Sequence, residues 1–228
     1  MAGVILLSAG LDSTVAMASF LQTEPGGVAL TIDYGQRASS QEVMRAASLA
    51  AHYGLEHRVL PLPFLAGITK TALVNQNETV PEIERSDLDR VLDLTQQSAA
   101  KVWVPNRNGL FINMAAALAE SLGLDSVITG FNSEEAATFP DNSPQFIMAS
   151  NQALAYSTLN QVKVVSPTQN LNKMEIVSLG LKLNIPWQFL WSCYHGGERM
   201  CGRCESCQRL KRALDSQNAA QILALLFA

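Results

Sequence analysis

The segment Ser8-Ala9-Gly10-Leu11-Asp12-Ser13 has the residue types for handling phosphate. It follows the apolar run Val4-Ile5-Leu6-Leu7 and leads into the helix-patterned run Thr14-Val15-Ala16-Met17-Ala18-Ser19-Phe20-Leu21. A strand, a tight small-residue turn and a helix N-terminus make an anion site, because free backbone N–H groups and the helix dipole converge there. Ala9 and Gly10 let a phosphate approach the backbone, and Ser8, Ser13 and Thr14 offer hydroxyls. Asp12 fits beside phosphates when a Mg²⁺ lies between them. The run Leu7-Ser8-Ala9-Gly10-Leu11-Asp12-Ser13-Thr14 therefore points to ATP with Mg²⁺. The plain alternative is an ordinary strand-turn-helix connection. The loop has no G-K-[ST] and no G-x-G-x-x-G, so it is neither of the two commoner phosphate loops.

A second constellation is Cys193-x7-Cys201-x2-Cys204-x2-Cys207. Two C-x-x-C turns share Cys204, and Gly202 lets the chain turn around an ion. Four thiolates suit tetrahedral Zn²⁺ in a closed, structural site with no open position for catalysis. Iron–sulfur ligation is the first rival, since sulfur-only spacing does not exclude it. A redox C-x-x-C pair is the second, and it leaves two cysteines unexplained. His195 lies among these sulfurs and reads as a surface or substrate-side residue. The cysteines cluster in a chain otherwise free of them, with no signal-peptide pattern, which suggests reduced thiols in the cytoplasm.

The elements that must position these residues follow from patterning. At 228 residues with 48% hydrophobic content, the chain is long enough for one domain with a full core and a small appendix. The division expected is an ATP-binding α/β domain over 1–190 and a zinc-binding helical tail over 191–228. The net charge of −4, with no basic tract, argues against a protein whose main task is holding nucleic acid. No apolar run is long enough to span a membrane. Apolar runs alternate with helix-patterned stretches, which predicts a doubly wound parallel sheet. Strands are expected at Val4–Leu7, Val28–Tyr34, Arg58–Leu60, Ser126–Thr129 and Val162–Val165. Helices are expected at Asp12–Gln22, Ser40–Tyr53, Gly109–Leu122, Phe146–Leu159 and Asn172–Leu183, the last opened by a capping box of Asn172 and Glu175. Pro63 to Lys101 breaks the alternation and reads as a lid or a subunit contact. Gly35 and Gly130 mark sharp exits at strand ends, on the edge of the sheet where ligands bind.

The loop resembles the S-G-G-x-D-S loop of the PP-loop ATP pyrophosphatases, with Ala9 for the first glycine. The whole set is more selective. Beside the loop it comprises Asp33-Tyr34-Gly35-Gln36-Arg37, Val104-Pro105-Asn106-Arg107-Asn108, Thr129-Gly130-Phe131-Asn132 and Phe139-Pro140-Asp141. It continues through Leu171-Asn172-Lys173-Met174-Glu175-Ile176-Val177 and Trp191-Ser192-Cys193-Tyr194-His195-Gly196-Gly197. Together these resemble the 7-cyano-7-deazaguanine synthase (QueC) family of queuosine biosynthesis over nearly the whole chain.

The resemblance implies an adenine nucleotide alpha-hydrolase-like, Rossmann-like fold and a homodimer carrying zinc in its tail. It also implies conversion of 7-carboxy-7-deazaguanine and ammonia to the nitrile, through an adenylated carboxylate and an amide. Asp12, Arg107 and Lys173 are then the expected catalytic residues. Gln36, Arg37, Asn108, Glu134, Phe139 and Asp141 are the expected substrate-binding set. A guanine-like base wants a carboxylate facing its N–H groups and an aromatic face, which Asp141 or Glu134 with Phe139 would supply. For Lys173 the plain alternative is a solvated lysine, and for Arg107 a surface ion pair.

Three segments depart from the family pattern. Ala9 replaces a glycine and fits if its φ is negative. Asn106 replaces another glycine and tolerates the left-handed region. The usual G-Y-P-D-C-R reads Thr138-Phe139-Pro140-Asp141-Asn142-Ser143, without the arginine. That leaves open a relative that stops at the amide or passes the activated carboxylate to another amine, including one on a protein. A third reading is a zinc-bearing tRNA or sulfur-transfer relative, disfavoured by the acidic composition and by the absence of a spare cysteine.

Overall fold

The computed structural model describes residues 2–85, 88 and 98–227. Strands β1 (Gly3–Leu6), β2 (Gly27–Asp33), β3 (Glu56–Pro61), β4 (Ser126–Ile128) and β5 (Lys163–Val165) form one sheet in the order β3-β2-β1-β4-β5. Every pairing is parallel. In β1, Val4 sits level with Val28 on one side and Val127 on the other. The five expected strands are all present, with ends shifted by one or two residues. β3 is longer than expected because it is a half-exposed edge, where apolar content understates strand length.

The helices are α1 (Leu11–Thr23), α2 (Ser39–His52), α3 (Phe64–Ile68), α4 (Arg107–Ser121), α5 (Ser133–Ala136), α6 (Pro144–Ser157), α7 (Lys173–Lys182), α8 (Glu205–Ser216) and α9 (Ala220–Phe227). Alternation along β1 divides the core. Ile5 packs with Met17 and Leu49 under α1 and α2. Val4 packs with Ile112, Ala115 and Leu154 under α4 and α6. β2 and β3 lie on one side of β1, β4 and β5 on the other. The chain reverses its direction of winding there, which opens a crevice at the carboxyl end of β1.

The tail shares a core with the first helix. Leu11 and Val15 of α1 pack with Ile176 and Val177 of α7, and with Trp191, Cys204, Cys207 and Leu210. The described part of 63–101 packs against the body and the tail. Arg37 binds the carbonyls of Ala72, Asn75 and Glu78, Glu82 bridges to Cys204, and Ser98 donates to the buried Glu205. The remainder of the expected lid segment lies outside the described residues. No helix among the described residues is long and apolar enough to cross a membrane.

Candidate active site and cysteine centre

The phosphate loop is shaped from two directions. Ala9 has φ of 60°, so the negative φ expected for it is corrected: the alanine, and not Gly10, takes the left-handed position. That conformation costs an L-residue about 1 kcal/mol. It is held from both sides: the Ala9 methyl is fully buried beside Ile5 and Leu7, and its carbonyl accepts the Trp191 N–H at 2.9 Å. Gly10 then opens α1 with no side-chain cap, which leaves the first N–H groups of the helix turned toward the crevice. Ser8 and Ser13 hydroxyls hold the loop together, with Ser13 donating to the Gly10 carbonyl at 3.2 Å. Gly130, at the exit of β4, lies so close that a Cβ there would be 2.6 Å from the Ser13 nitrogen.

Two adjoining cavities of about 250 Å³ each meet at this loop. Ser8, Gly10, Asp12, Glu42, Arg107 and Asn142 line both. One cavity adds Leu7, Ile32, Tyr34, Phe111 and Gly130 on the side of β2. The other adds Leu11, Trp103, Glu135, Phe139, Asp141 and Lys173 on the side of α7.

Charge is concentrated at the junction. Lys173 opens α7 behind the expected Asn172–Glu175 capping box. Its ammonium binds Asp12 Oδ2 at 2.5 Å and Glu135 Oε1 at 3.0 Å. Burial alone would lower the Lys173 pKa, but the two carboxylates outweigh it and hold the ammonium above its ordinary range. Burial pushes the Asp12 carboxyl up, with Lys173 opposing. For Glu135 burial also pushes upward, but Lys173 dominates and the carboxyl is held below its ordinary range. Asp12 Oδ1 and the Thr14 hydroxyl are buried without a protein partner. The Thr14 hydroxyl lines neither cavity, but the open carboxylate oxygen of Asp12, which lines both, is the kind of donor that Mg²⁺ prefers, so Asp12 fits the ion.

Arg107 follows Asn106, which adopts the left-handed turn expected of it at φ 54°. Its guanidinium donates to the Tyr34 hydroxyl at 3.2 Å. Glu42 was not singled out by its sequence context. Its carboxylate accepts the Gln36 amide at 2.7 Å, and Gln36 is itself fixed by the Tyr34 N–H and the Ile32 carbonyl. Burial pushes the Glu42 carboxyl up. The one available signal was a carboxylate on the helix that follows Gln36-Arg37.

The four sulfurs lie within 4.8 Å of one another, and none is in a disulfide. Tetrahedral Zn²⁺ with bonds of about 2.3 Å places its sulfurs roughly 3.8 Å apart, and Cys201 and Cys207 stand at 4.0 Å. Cys193 Sγ accepts N–H groups from His195 and Cys201, and Cys201 Sγ accepts those of Arg203 and Cys204. Hydrogen bonds from Cys204 and Cys207 pull the Cys193 thiol far down, while Cys204 and Cys207 are driven up. Four thiols this close together ionise together only around a cation that offsets their charge. The set fits zinc.

A family model described as "Queuosine biosynthesis protein QueC" matches residues 2–218. The chain belongs to the QueC family. The 7-cyano-7-deazaguanine synthase of Pelotomaculum thermopropionicum is 56% identical over 213 residues, 93% of this chain and 96% of that protein. The synthase of Desulforudis audaxviator is 50% identical, over 97% of this chain and all of its own length. That of Methanosarcina mazei is 46% identical over 93% of each. The NMN synthetase structure from Francisella tularensis superposes loosely, with a TM-score of 0.47 and 19% identity, covering 96% of this chain and 84% of that one.

The residues expected to bind a QueC substrate divide into two groups. Phe139, Asp141 and Asn108 face the cavities, and Asn108 donates to the Asp141 carbonyl at 3.3 Å. Burial raises the Asp141 carboxyl, with Arg107 opposing. Gln36 reaches the site only through Glu42, and Arg37 lies outside both cavities, tying down residues 72–78. Glu134 turns to the tail, where Arg209 and Arg212 bind it at 2.9 and 2.7 Å, while the adjacent Glu135 faces the crevice. In the segment that departs from the QueC pattern, Ser143 caps α6 by accepting the Phe146 N–H at 3.1 Å, and Asn142 lines both cavities.

Proposed function

We propose that this protein converts 7-carboxy-7-deazaguanine to 7-cyano-7-deazaguanine with ATP and ammonia. The single observation that carries the reading is the meeting of the two cavities at Asp12 and the uncapped start of α1. Such an arrangement lets a nucleotide in one chamber present its phosphates to a carboxylate in the other. The substrate carboxylate attacks the α-phosphorus, the bond to pyrophosphate breaks, and an acyl-adenylate forms. Ammonia displaces AMP to give the amide. A second ATP adenylates the amide oxygen, and loss of AMP with the nitrogen-bound protons leaves the nitrile.

The helix N–H groups and Lys173 stabilise the charge that collects on the departing pyrophosphate. Arg107, at the junction, binds the reacting carboxylate or the α-phosphate. Asp12 would hold Mg²⁺, which supplies charge neutralisation for the leaving group when bound. Cys193, Cys201, Cys204 and Cys207 would hold Zn²⁺, which fixes the fold of the tail. Ammonia is free or delivered by another protein, and the active form is a homodimer.

The test is incubation with Mg-ATP, ammonium and 7-carboxy-7-deazaguanine, with products read by mass spectrometry. Nitrile plus AMP is the expected result. Amide alone, or a persistent adenylate, assigns the chain to the divergent reaction. No consumption of ATP overturns the reading.

A further inference from the structure

We propose that Trp103 binds the substrate, forming with Phe139 the stacking wall on which the flat bicyclic base lies; this rests on the function proposed above. The two rings lie parallel within 4°, with centroids 5.9 Å apart. Both line the cavity on the side of α7, beside Asp141 and Arg107. The other aromatic pairs among the described residues are tilted or edge-on, at 54°, 59° and 84°. Only this pair presents the crevice with a single plane orientation.

Trp103 is placed there by its neighbours. Val102 and Val104 are both buried in the core beneath α4, which anchors the backbone on either side of the indole. Trp187 and Trp191 are buried in the core shared with the tail, Trp191 bordering the same cavity, whereas Trp103 is half-buried. Its ring also borders a second hollow lined by Lys70, Thr71 and Lys101, so it partitions that hollow from the crevice. A planar heterocycle gains offset stacking on such a face, with its N–H edge left free to reach a carboxylate. Two face contacts of about 3.5 Å need roughly 7 Å between ring planes. The base therefore stacks on the indole of Trp103 as a further layer of the pair rather than between the two rings.

The experiment is calorimetric titration of the base into the protein without ATP, together with tryptophan fluorescence. In the wild type, fluorescence is quenched as 7-carboxy-7-deazaguanine binds. Trp103→Ala weakens binding about tenfold or more, in line with the loss of one base–aromatic stack, and removes the quench. KM for the base rises while KM for ATP stays within about twofold, the split that separates stacking from a loss of fold. Trp103→Leu fills the wall without a π-face and behaves like the alanine variant, whereas Trp103→Phe retains most of the affinity. Wild-type affinity in Trp103→Ala or Trp103→Leu overturns the inference and leaves the proposed reaction standing. A wild-type protein that binds no base overturns both.

Discussion

The Lys173 ammonium stands 2.5 Å from the Asp12 carboxylate, although 161 residues separate the two in sequence. Glu135 is its second partner. The pairing explains how a lysine is tolerated at a helix N-terminus, where the dipole opposes it. It also means that the acidic member of the phosphate loop is neutralised before a ligand enters. Arriving phosphates compete with Asp12 for the lysine, and a released Asp12 is free for a cation.

Lys173→Met breaks this arrangement and leaves two carboxylates facing each other in a buried site. The expected cost is about 3 kcal/mol of stability, the usual consequence of removing one member of a buried pair. Pyrophosphate release falls by about a hundredfold or more. Urea titration and a coupled pyrophosphate assay read the two effects separately.

The two carboxylates bound to Lys173 have opposite pH signatures. Glu135 is held below its ordinary 4.5, so its contribution to stability is present above that value and fades as the pH falls through its folded pKa. Glu135→Gln is therefore less stable than the wild type at pH 7, and the difference narrows as the pH falls below 4.5 through the folded pKa. Asp12 is pushed above its ordinary 3.8, so its charge costs stability at neutral pH. Asp12→Asn melts no lower than the wild type at pH 7 while losing turnover. Thermal melts from pH 3 to 8 check both signs.

Gly130 has no room for a side chain. A methyl group there would press on the backbone of Asp12 and Ser13, within 2.8 Å of three atoms, and none of them can move without shifting α1. Gly130→Ala is expected to cost about 2 kcal/mol, as overpacking does, and to weaken ATP binding more than base binding. Calorimetric titration of each ligand tests this.

Removal of metal from the cysteine cluster acts at a distance. Bound zinc would supply much of the free energy that folds a short tail, and the tail carries Trp191, whose N–H holds Ala9. Chelation, or Cys204→Ser, lowers Tm and abolishes ATP consumption together. Mass spectrometry of the reduced protein is expected to find one zinc per chain. Iron with visible absorbance would overturn the assignment.

Much of this site is legible in the residues themselves. The strand-turn-helix of the loop, the sulfur spacing and the Asn172–Glu175 capping box are local patterns, and local geometry realises them. What local reading misses is set by packing between distant segments. Ala9 could be placed in the left-handed region only by knowing that Trp191 would bind its carbonyl. Glu134 and Glu135 are adjacent and alike, and their distant partners separate them: Arg209, Arg212 and the Lys173 N–H hold Glu134, while the Lys173 ammonium holds Glu135 at the crevice. Gln36 and Arg37 belong to a recognisable motif, yet their partners are Glu42 and the carbonyls of residues 72–78. A motif alone does not show which partners its side chains will take.

The bond between Trp191 and Ala9 also has a consequence in time. Ala9 leaves the ribosome 182 residues before its partner does, a delay of roughly 10 to 40 s at about 5–20 residues per second. Through that interval β1 and α1 can fold, while the loop between them lacks its brace. The nascent chain therefore completes the brace on its phosphate loop only after the segment that carries Trp191 has been made, when that segment closes over the first strand.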